Sequence, residues 1–134
     1  MLTPKEVVLN GETLLGSYNV EIARRVNSRW TPTVPPLFAI VTDQRLVLQP
    51  YGRKRREPAI IPGRYIAKVV NMDEERRNMI MMTIKTGHQI TLFISGPQCA
   101  ELAQHLRAIA RVKKYDPDID PAILQKMIAF FDTL

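Results

Sequence analysis

Alternation of apolar and polar positions runs through most of the chain between residues 12 and 95, and it predicts β-strands. The clearest case is 88–94, where Ile90, Leu92 and Ile94 fall on one face, as the two-residue period of a half-buried strand requires. Other apolar runs have the length of strands and are bounded by turn residues. The segments predicted as strands are 18–22, 37–41, 45–49, 58–62, 65–72, 79–85 and 88–94.

Turn sequences separate these strands, and no helical pattern interrupts them. Residues 42–45, 73–78 and 86–87 combine polar, charged or glycine residues between apolar runs, which predicts turns. The segment 24–36, "RRVNSRWTPTVPP", is predicted to be a long loop, because its prolines cannot donate the hydrogen bonds of a sheet. Strands joined without helices favour an antiparallel sheet over a parallel one.

After residue 95 the apolar period lengthens to that of a helix. The segment 96–113 is predicted to be a helix with one apolar stripe, and Glu101, Gln104, Arg107 and Arg111 face away from that stripe. A second helix is predicted at 120–134, with Pro121 in its first turn. A short helix is also predicted at 4–9. The apolar stripe of the helix at 96–113 consists of Leu102, Ala103, Leu106, Ile109 and Ala110.

These elements predict one mainly β domain with C-terminal helices. The chain has 134 residues, of which 46% are hydrophobic, and a chain of this kind buries one core without metal or disulfide links. The predicted sheet is antiparallel and strongly bent, and a helix plugs one open end. The predicted layout is a short N-terminal helix at 1–11, a β-barrel at 12–95, a capping helix at 96–113 and an additional helix at 120–134.

The sequence favours a cytoplasmic protein. Its start lacks the pattern of a secretory signal, and its apolar runs are too short to span a bilayer. The single cysteine, Cys99, cannot form an internal disulfide. Peripheral attachment to a membrane stays open at this point.

Three segments carry a likeness to a known family. They are "NGETLL" at 10–15, "LFAIVTDQRLVLQP" at 37–50 and "IPGRYIAKV" at 61–69. Together they resemble the GRAM-like and bacterial PH-like branch of the pleckstrin-homology superfold, whose second segment is a hairpin with a TxxRL motif. The resemblance covers roughly residues 10–113. It implies a PH-like, seven-stranded antiparallel bent barrel capped by an α-helix, and a binding module for membranes or proteins without catalytic activity.

The charge of the chain points to an anionic partner. The net charge is +6 and the sequence pI is about 9.8, and four cations are consecutive at 53–56. The resemblance implies that the loops after the first, third and sixth predicted strands meet at one open end. A basic rim there would suit an anionic lipid or a phosphate-bearing ligand. The candidate rim residues are Arg24, Arg25, Arg29, Trp30, Arg53, Lys54, Arg55, Arg56 and Lys85.

The same residues also fit simpler roles. Exposed hairpin tips must be polar, and Lys and Arg keep strand edges from pairing with other chains. Trp30 suits either the level of lipid headgroups or packing against the proline-rich segment. The predicted strand 37–41 carries no cation, which counts against stereospecific recognition of a phosphoinositide. Nucleic acid is disfavoured, because stacked bases need aromatic side chains gathered on one sheet face.

The predicted C-terminal helix supplies an alternative function. An apolar stripe runs along it, and the stripe fits either packing across the barrel as extra core or an interface with a protein partner or a second copy. Under the alternative, the chain is a protein-interaction or oligomerisation module. The candidate interface residues are Ile123, Leu124, Met127, Ile128, Phe130 and Phe131.

No motif in the sequence indicates catalysis, a cofactor or a metal. His88 and His105 belong to different predicted elements and lack metal-ligand spacing. The sequence has no glycine-rich phosphate loop and no nucleophile elbow. Cys99 lies in the first turn of a predicted helix, where a small buried side chain is the expectation. We therefore expect a protein that is not an enzyme and that has no cofactor and no metal site.

Overall fold

The computed structural model describes residues 11–32, 37–50, 58–74 and 77–110, with backbone alone at 73, 74 and 77. It also describes four helical residues nearer the C-terminus, Ala122, Gln125, Lys126 and Ala129. The helix predicted at 4–9 lies outside the described residues, and so does most of the helix predicted at 120–134.

Eight strands and one α-helix make up the described part of the chain. The strands are β1 (Leu14–Val26), β2 (Arg29–Pro32), β3 (Leu37–Thr42), β4 (Arg45–Pro50), β5 (Ala59–Pro62), β6 (Ile66–Glu74), β7 (Arg77–Ile84) and β8 (Gln89–Phe93). A single 3₁₀ turn at Gly63–Tyr65 joins β5 to β6, and the helix α1 spans Gly96–Ala110. Every strand pairing is antiparallel. The prediction of a mainly β fold with a C-terminal helix is confirmed.

β1 joins the two halves of the bent sheet. The strand order is β5-β4-β3-β1-β8-β7-β6, with β2 added to β1 off this path. The first half of β1 pairs with β3, and the pairing ends where Val20 meets Leu37. The next residues pair with β8 instead, beginning with Glu21 opposite Phe93. Because β5 and β6 occupy the two ends of this order, the sheet is bent like a barrel and is not closed.

The main core lies between the halves of the sheet and under α1. Tyr18, Val20 and Ile22 point into it from alternate positions of β1, as the sequence pattern predicts. The stripe of α1 is buried as predicted, from Leu102 to Ile109, and Ala110 is half-buried. Cys99 is also buried, with a free thiol. The helix therefore caps one end of the bent sheet.

The end of α1 packs closely on the 3₁₀ turn. A side-chain carbon on Gly63 would lie 2.6 Å from the carbonyl oxygen of Ile109, so this contact requires glycine. Arg107 lies on the polar face of α1, away from the buried stripe, and is half-buried there. Its guanidinium donates to the Val69 carbonyl oxygen at 3.2 Å and to Asn71 Oδ1 at 3.0 Å, so it ties α1 to β6.

Two predicted connections are shorter than expected. The segment 24–36 is not a long loop, because β1 continues to Val26 and β2 begins at Arg29. The two residues between them, Asn27 and Ser28, have φ angles of 51° and 64°, and a two-residue turn with positive φ at both positions matches the twist of a hairpin. The turn predicted at 73–78 is also largely strand, since β6 and β7 pair as far as Glu74 opposite Arg77.

Candidate functional site

A two-stranded ribbon, residues 23–32, extends the sheet beyond the point where β3 leaves β1. Its register places Arg24 opposite Thr31, Arg25 opposite Trp30 and Val26 opposite Arg29. The three arginines are exposed, and Val26 at the tip is 51% exposed. Three of the predicted rim cations therefore stand on a regular hairpin, which fixes the face on which each one lies.

The two faces of the ribbon differ in chemistry. Arg24 and Arg29 share the face that continues from Ile22 of the main core, because side chains alternate along β1 and opposed residues share a face. Arg25 and Trp30 lie on the opposite, outer face. The Arg25 guanidinium carbon is 5.5 Å from the centroid of the Trp30 ring, which is the geometry of a cation–π contact.

Trp30 belongs to a small cluster on the outer face of the sheet. We call this group the outer-face cluster. Its buried members are separate from the main core, and Trp30 and Met72 are half-buried against them. Trp30 is half-buried against residues of the sheet, and residues 33–36 of the proline-rich segment lie outside the described residues. The outer-face cluster consists of Ala23, Met79, Phe93, Trp30 and Met72.

The base of the ribbon adjoins β8. Ala23 pairs with Thr91, and the turn at 85–88 joins β7 to β8. This turn contains Lys85, whose side chain is half-buried and whose backbone N–H donates to Tyr65 O at 2.8 Å. Thr86 Oγ1 and His88 Nδ1 lie 2.7 Å apart within the same turn.

The four consecutive cations Arg53, Lys54, Arg55 and Arg56 lie outside the described residues. The chain leaves β4 at Pro50, which pairs with Leu37, and Leu37 in turn pairs with Val20 at the base of the ribbon. The segment that carries these cations therefore starts from the end of the sheet where the ribbon begins.

One cation near this region was not singled out by the sequence. Arg64 lies in the 3₁₀ turn, and its guanidinium carbon is 5.0 Å from the Tyr65 ring centroid. The backbone N–H of Lys85 donates a hydrogen bond to the carbonyl oxygen of Tyr65. Arg64 is therefore the chain neighbour of a residue that contacts the β7–β8 turn. The sequence does not show this proximity, because 20 residues lie between Arg64 and that turn.

A different polar group lies at the start of β1, where two of the motifs behind the family resemblance meet. Arg45 contacts both carboxylate oxygens of Glu12, with Nε 3.0 Å from Oε2 and Nη2 3.0 Å from Oε1. Thr42 Oγ1 donates to Glu12 Oε2 at 2.9 Å and accepts from the backbone N–H of Arg45. Asp43 and Thr13 exchange hydrogen bonds beside this pair. The arrangement is structural, because the charges satisfy each other.

A third polar group lies between β1 and α1. Tyr18 is buried, and its Oη has no hydrogen-bond partner of good geometry among the described residues. Burial raises the pKa of Tyr18 to about 12, and the nearby carboxylate of Glu101 adds to the shift. His105 lies next to it, with ring centroids 6.5 Å apart, and its Nε2 is 3.7 Å from Glu101 Oε1. Periodicity could not foresee this group, since Tyr18 looks like an ordinary core residue.

Solved structures of two other proteins are similar to this chain. The first is the N-terminal PH domain of Vps36, with a TM-score of 0.59, 13% identity, and 79% of this chain and 85% of that chain covered. The second is the C-terminal domain of an unknown protein from Leishmania infantum, with a TM-score of 0.56, 19% identity, and coverage of 75% and 85%. The chain has a PH-like fold. No family model and no curated protein sequence matches it.

The described residues show neither a metal-binding group nor a membrane-spanning helix. Within the described part of the chain, no group of three or more His, Cys, Asp and Glu side chains could hold a metal ion. None of the helices found there is long and apolar enough to cross a membrane.

Proposed function

We propose that this chain is a non-catalytic, PH-like binding module that attaches to an anionic membrane surface or to a phosphate-bearing ligand through its basic rim. The observation that carries the proposal is the ribbon, which holds Arg24 and Arg29 exposed on one face. A rigid hairpin loses less conformational entropy on binding than a long loop does. Arginine also suits phosphate oxygens, because its planar fork donates two parallel hydrogen bonds.

The proposed binding is weak for one domain. Each cation near an anionic leaflet contributes about 1 kcal/mol. If about four cations of the rim engage, the sum of roughly 4 kcal/mol corresponds to a dissociation constant near the millimolar range. Physiological salt reduces this further, since exposed charges are screened beyond a Debye length of about 8 Å. Several copies on one surface, or a second anchor, would raise the affinity through effective concentration.

Cosedimentation with vesicles tests the proposal. The full chain is mixed with phosphatidylcholine vesicles and with vesicles that also contain phosphatidylserine, at rising salt. We expect pelleting with the anionic vesicles alone, and we expect it to fall as salt rises. Pelleting that ignores both lipid charge and salt would contradict the proposal.

A matched pair of variants distinguishes the effect of the rim cations on vesicle binding from the effect of net charge. Arg24→Glu with Arg29→Glu reverses the two charges on the inner face of the ribbon. Lys68→Glu with Lys126→Glu makes the same change in charge at two exposed positions elsewhere. We expect the first variant to lose vesicle binding and the second to retain most of it. Equal losses would show a response to net charge and would overturn the site.

A competition experiment distinguishes a site for a phosphate-bearing ligand from attraction to an anionic membrane surface. Pyrophosphate is added to the protein–vesicle mixture at constant ionic strength. Displacement by pyrophosphate, beyond that caused by a chloride salt, indicates a phosphate-specific pocket. Displacement equal to that of chloride indicates attraction to the charged surface.

A further inference from the structure

The two faces of the ribbon differ in exposure as well as in chemistry. On the outer face Trp30 and Pro32 are half-buried, and the Arg25 guanidinium lies over the Trp30 ring. The inner face is the more open one, although it continues from Ile22 of the main core. The four side chains of the inner face beyond Ile22 are all exposed, and they are Arg24, Val26, Arg29 and Thr31.

Val26 is the apolar residue of this open face. It is 51% exposed, and no other large hydrophobic side chain in the described part of the chain is as exposed. Val26 pairs with Arg29, so the two side chains lie next to each other on the same face. The turn Asn27-Ser28, with a positive φ at both residues, keeps the two strands in this register. An exposed valine is thus fixed beside a cation.

The charges in the sequence around Val26 have one sign. The sequence contains three arginines and no Asp or Glu between Glu21 and Asp43. Arginine donates to phosphate oxygens, and its aliphatic stem lies along apolar surface. The surface of an anionic bilayer offers phosphates to such cations and, just below them, acyl chains to an apolar side chain. The inner face of the ribbon matches that surface in both respects.

We propose that the inner face of the ribbon lies against an anionic bilayer, with Val26 among the uppermost acyl carbons and Arg24 and Arg29 on lipid phosphates. This inference rests on the proposed binding through the basic rim, and it identifies the source of the phosphate as a lipid. Trp30 lies on the opposite face of the ribbon and stays outside the bilayer.

The shape of the ribbon favours a bilayer over other anionic partners. Sites for small soluble ligands are concave, with polar groups that converge on the ligand, whereas side chains on one face of two paired strands project side by side. A stable protein–protein interface buries roughly 800 Å² on each partner, which is far more than a face of four side chains supplies. A bilayer requires neither a pocket nor a large rigid surface.

Substitutions of Val26 test the apolar contribution at constant charge. Val26→Thr replaces a methyl group with a hydroxyl and keeps the branched shape, and Val26→Leu adds a methylene. We expect the dissociation constant for vesicles that contain phosphatidylserine to rise about threefold for Val26→Thr, because half of the side chain leaves water on binding. We expect it to fall for Val26→Leu. Ile60→Thr is the control, since Ile60 is 40% exposed on β5, outside the ribbon, and we expect its binding to equal that of the parent.

The possible outcomes separate this inference from the function on which it rests. A parent that does not pellet with anionic vesicles removes membrane attachment itself, and the inference with it. A parent that pellets in a salt-dependent way, while both Val26 variants bind as it does, overturns the insertion of Val26 and leaves electrostatic attachment standing. Equal losses in Val26→Thr and Ile60→Thr also overturn the insertion.

The single tryptophan of the chain tests which face of the ribbon meets the bilayer. Vesicles with brominated acyl chains quench a tryptophan that enters the bilayer. We expect the emission of Trp30 in the bound parent to be unquenched. In the variant Val26→Trp with Trp30→Phe, we expect quenching and a shift to shorter wavelength on binding. The reverse pattern overturns the assigned face. If Trp30→Phe unfolds the chain, the comparison of Val26→Thr with Ile60→Thr, which retains Trp30, decides the proposal.

Discussion

Glu12 and Arg45 form a two-point ion pair between residues that are 33 positions apart in sequence. Their side chains are 7% and 11% exposed, so water screens the pair little. Thr42 donates a further hydrogen bond to the same carboxylate. The pair fastens the start of β1 to the β3–β4 hairpin.

Removing one member of this pair should destabilise the domain strongly. Glu12→Gln leaves the guanidinium of Arg45 in a nearly buried position without its charge partner. Breaking a buried pair in this way costs about 3 kcal/mol. Urea unfolding should therefore show a lower midpoint with an unchanged slope. A midpoint equal to that of the parent would contradict the role of the pair.

The double variant Glu12→Met with Arg45→Met serves as the control. We expect it to be more stable than Glu12→Gln, because it removes both charges and leaves neither unpaired. The two variants therefore distinguish the cost of an unpaired charge from the net value of the pair.

Glycine should be favoured at position 28 in the turn of the ribbon and at position 87 in the β7–β8 turn, so introducing it at the first and removing it at the second should change stability in opposite directions. Ser28 has a φ of 64°, which glycine adopts without the strain of a side chain. Ser28→Gly should raise the free energy of unfolding by about 0.5 kcal/mol. Gly87 has a φ of 96° with open space around its Cα, so Gly87→Ala should lower it by about 1 kcal/mol. Urea unfolding measures both, and the same sign for both would refute the argument.

The buried phenol of Tyr18 should make stability fall at high pH. Its pKa is about 12 in the folded state against 10.0 for the free group. Above pH 10 the unfolded chain loses this proton while the folded chain keeps it, so the contribution is complete below pH 10 and is lost between pH 10 and 12. Tyr18→Phe should flatten the stability profile over that range relative to the parent. Parallel profiles for the two proteins would contradict the assignment.

A substitution at Gly16 tests the packing around the phenol of Tyr18. A side-chain carbon there would lie 2.5 Å from Tyr18 Oη. Gly16→Ala should therefore destabilise the parent and should cost less in the Tyr18→Phe background, since the phenol oxygen is gone. A double-mutant cycle by urea unfolding measures this coupling. Additive effects would mean that the two residues are not in contact.

Arg24 and Arg25 should behave differently although they are adjacent and equally charged. Arg24 lies on the inner face of the ribbon, whereas Arg25 stacks on Trp30. Arg24→Ala should reduce pelleting with anionic vesicles and leave Trp30 emission unchanged. Arg25→Ala should alter the emission of Trp30, with a loss of stability of about 0.5 kcal/mol. Reversal of these two readouts would refute the assignment of faces.

The strands could be predicted from the sequence because the alternation at Tyr18, Val20 and Ile22 is typical of a half-buried sheet. The ribbon could not be predicted, because Asn27-Ser28 lacks the glycine that usually marks a two-residue turn. Only one of the prolines of 24–36 lies in the described ribbon, at its last position, Pro32.

Other features could not be predicted from the sequence because they depend on tertiary contacts. The sequence places Arg107 away from the apolar stripe of α1, but it does not show that β6 lies close enough to offer this side chain two acceptors. For the candidate site, the sequence identifies the cations but not their faces, since the faces depend on register. The same holds for the outer-face cluster, whose residues come from separate strands and acquire a common surface only when those strands pair.

The pairing of β1 with β8 affects how the protein can fold during synthesis. The second half of β1 is made early, but its partner residues Thr91–Phe93 are made some 70 positions later. Local hairpins can form as the chain leaves the ribosome, yet the bend of the sheet has to wait for β8. Contacts between such distant residues slow folding and leave strand edges unpaired in the meantime. A nascent chain that ends before β8 should therefore be open to proteases, and compact protection should arise only once β8 and α1 have emerged.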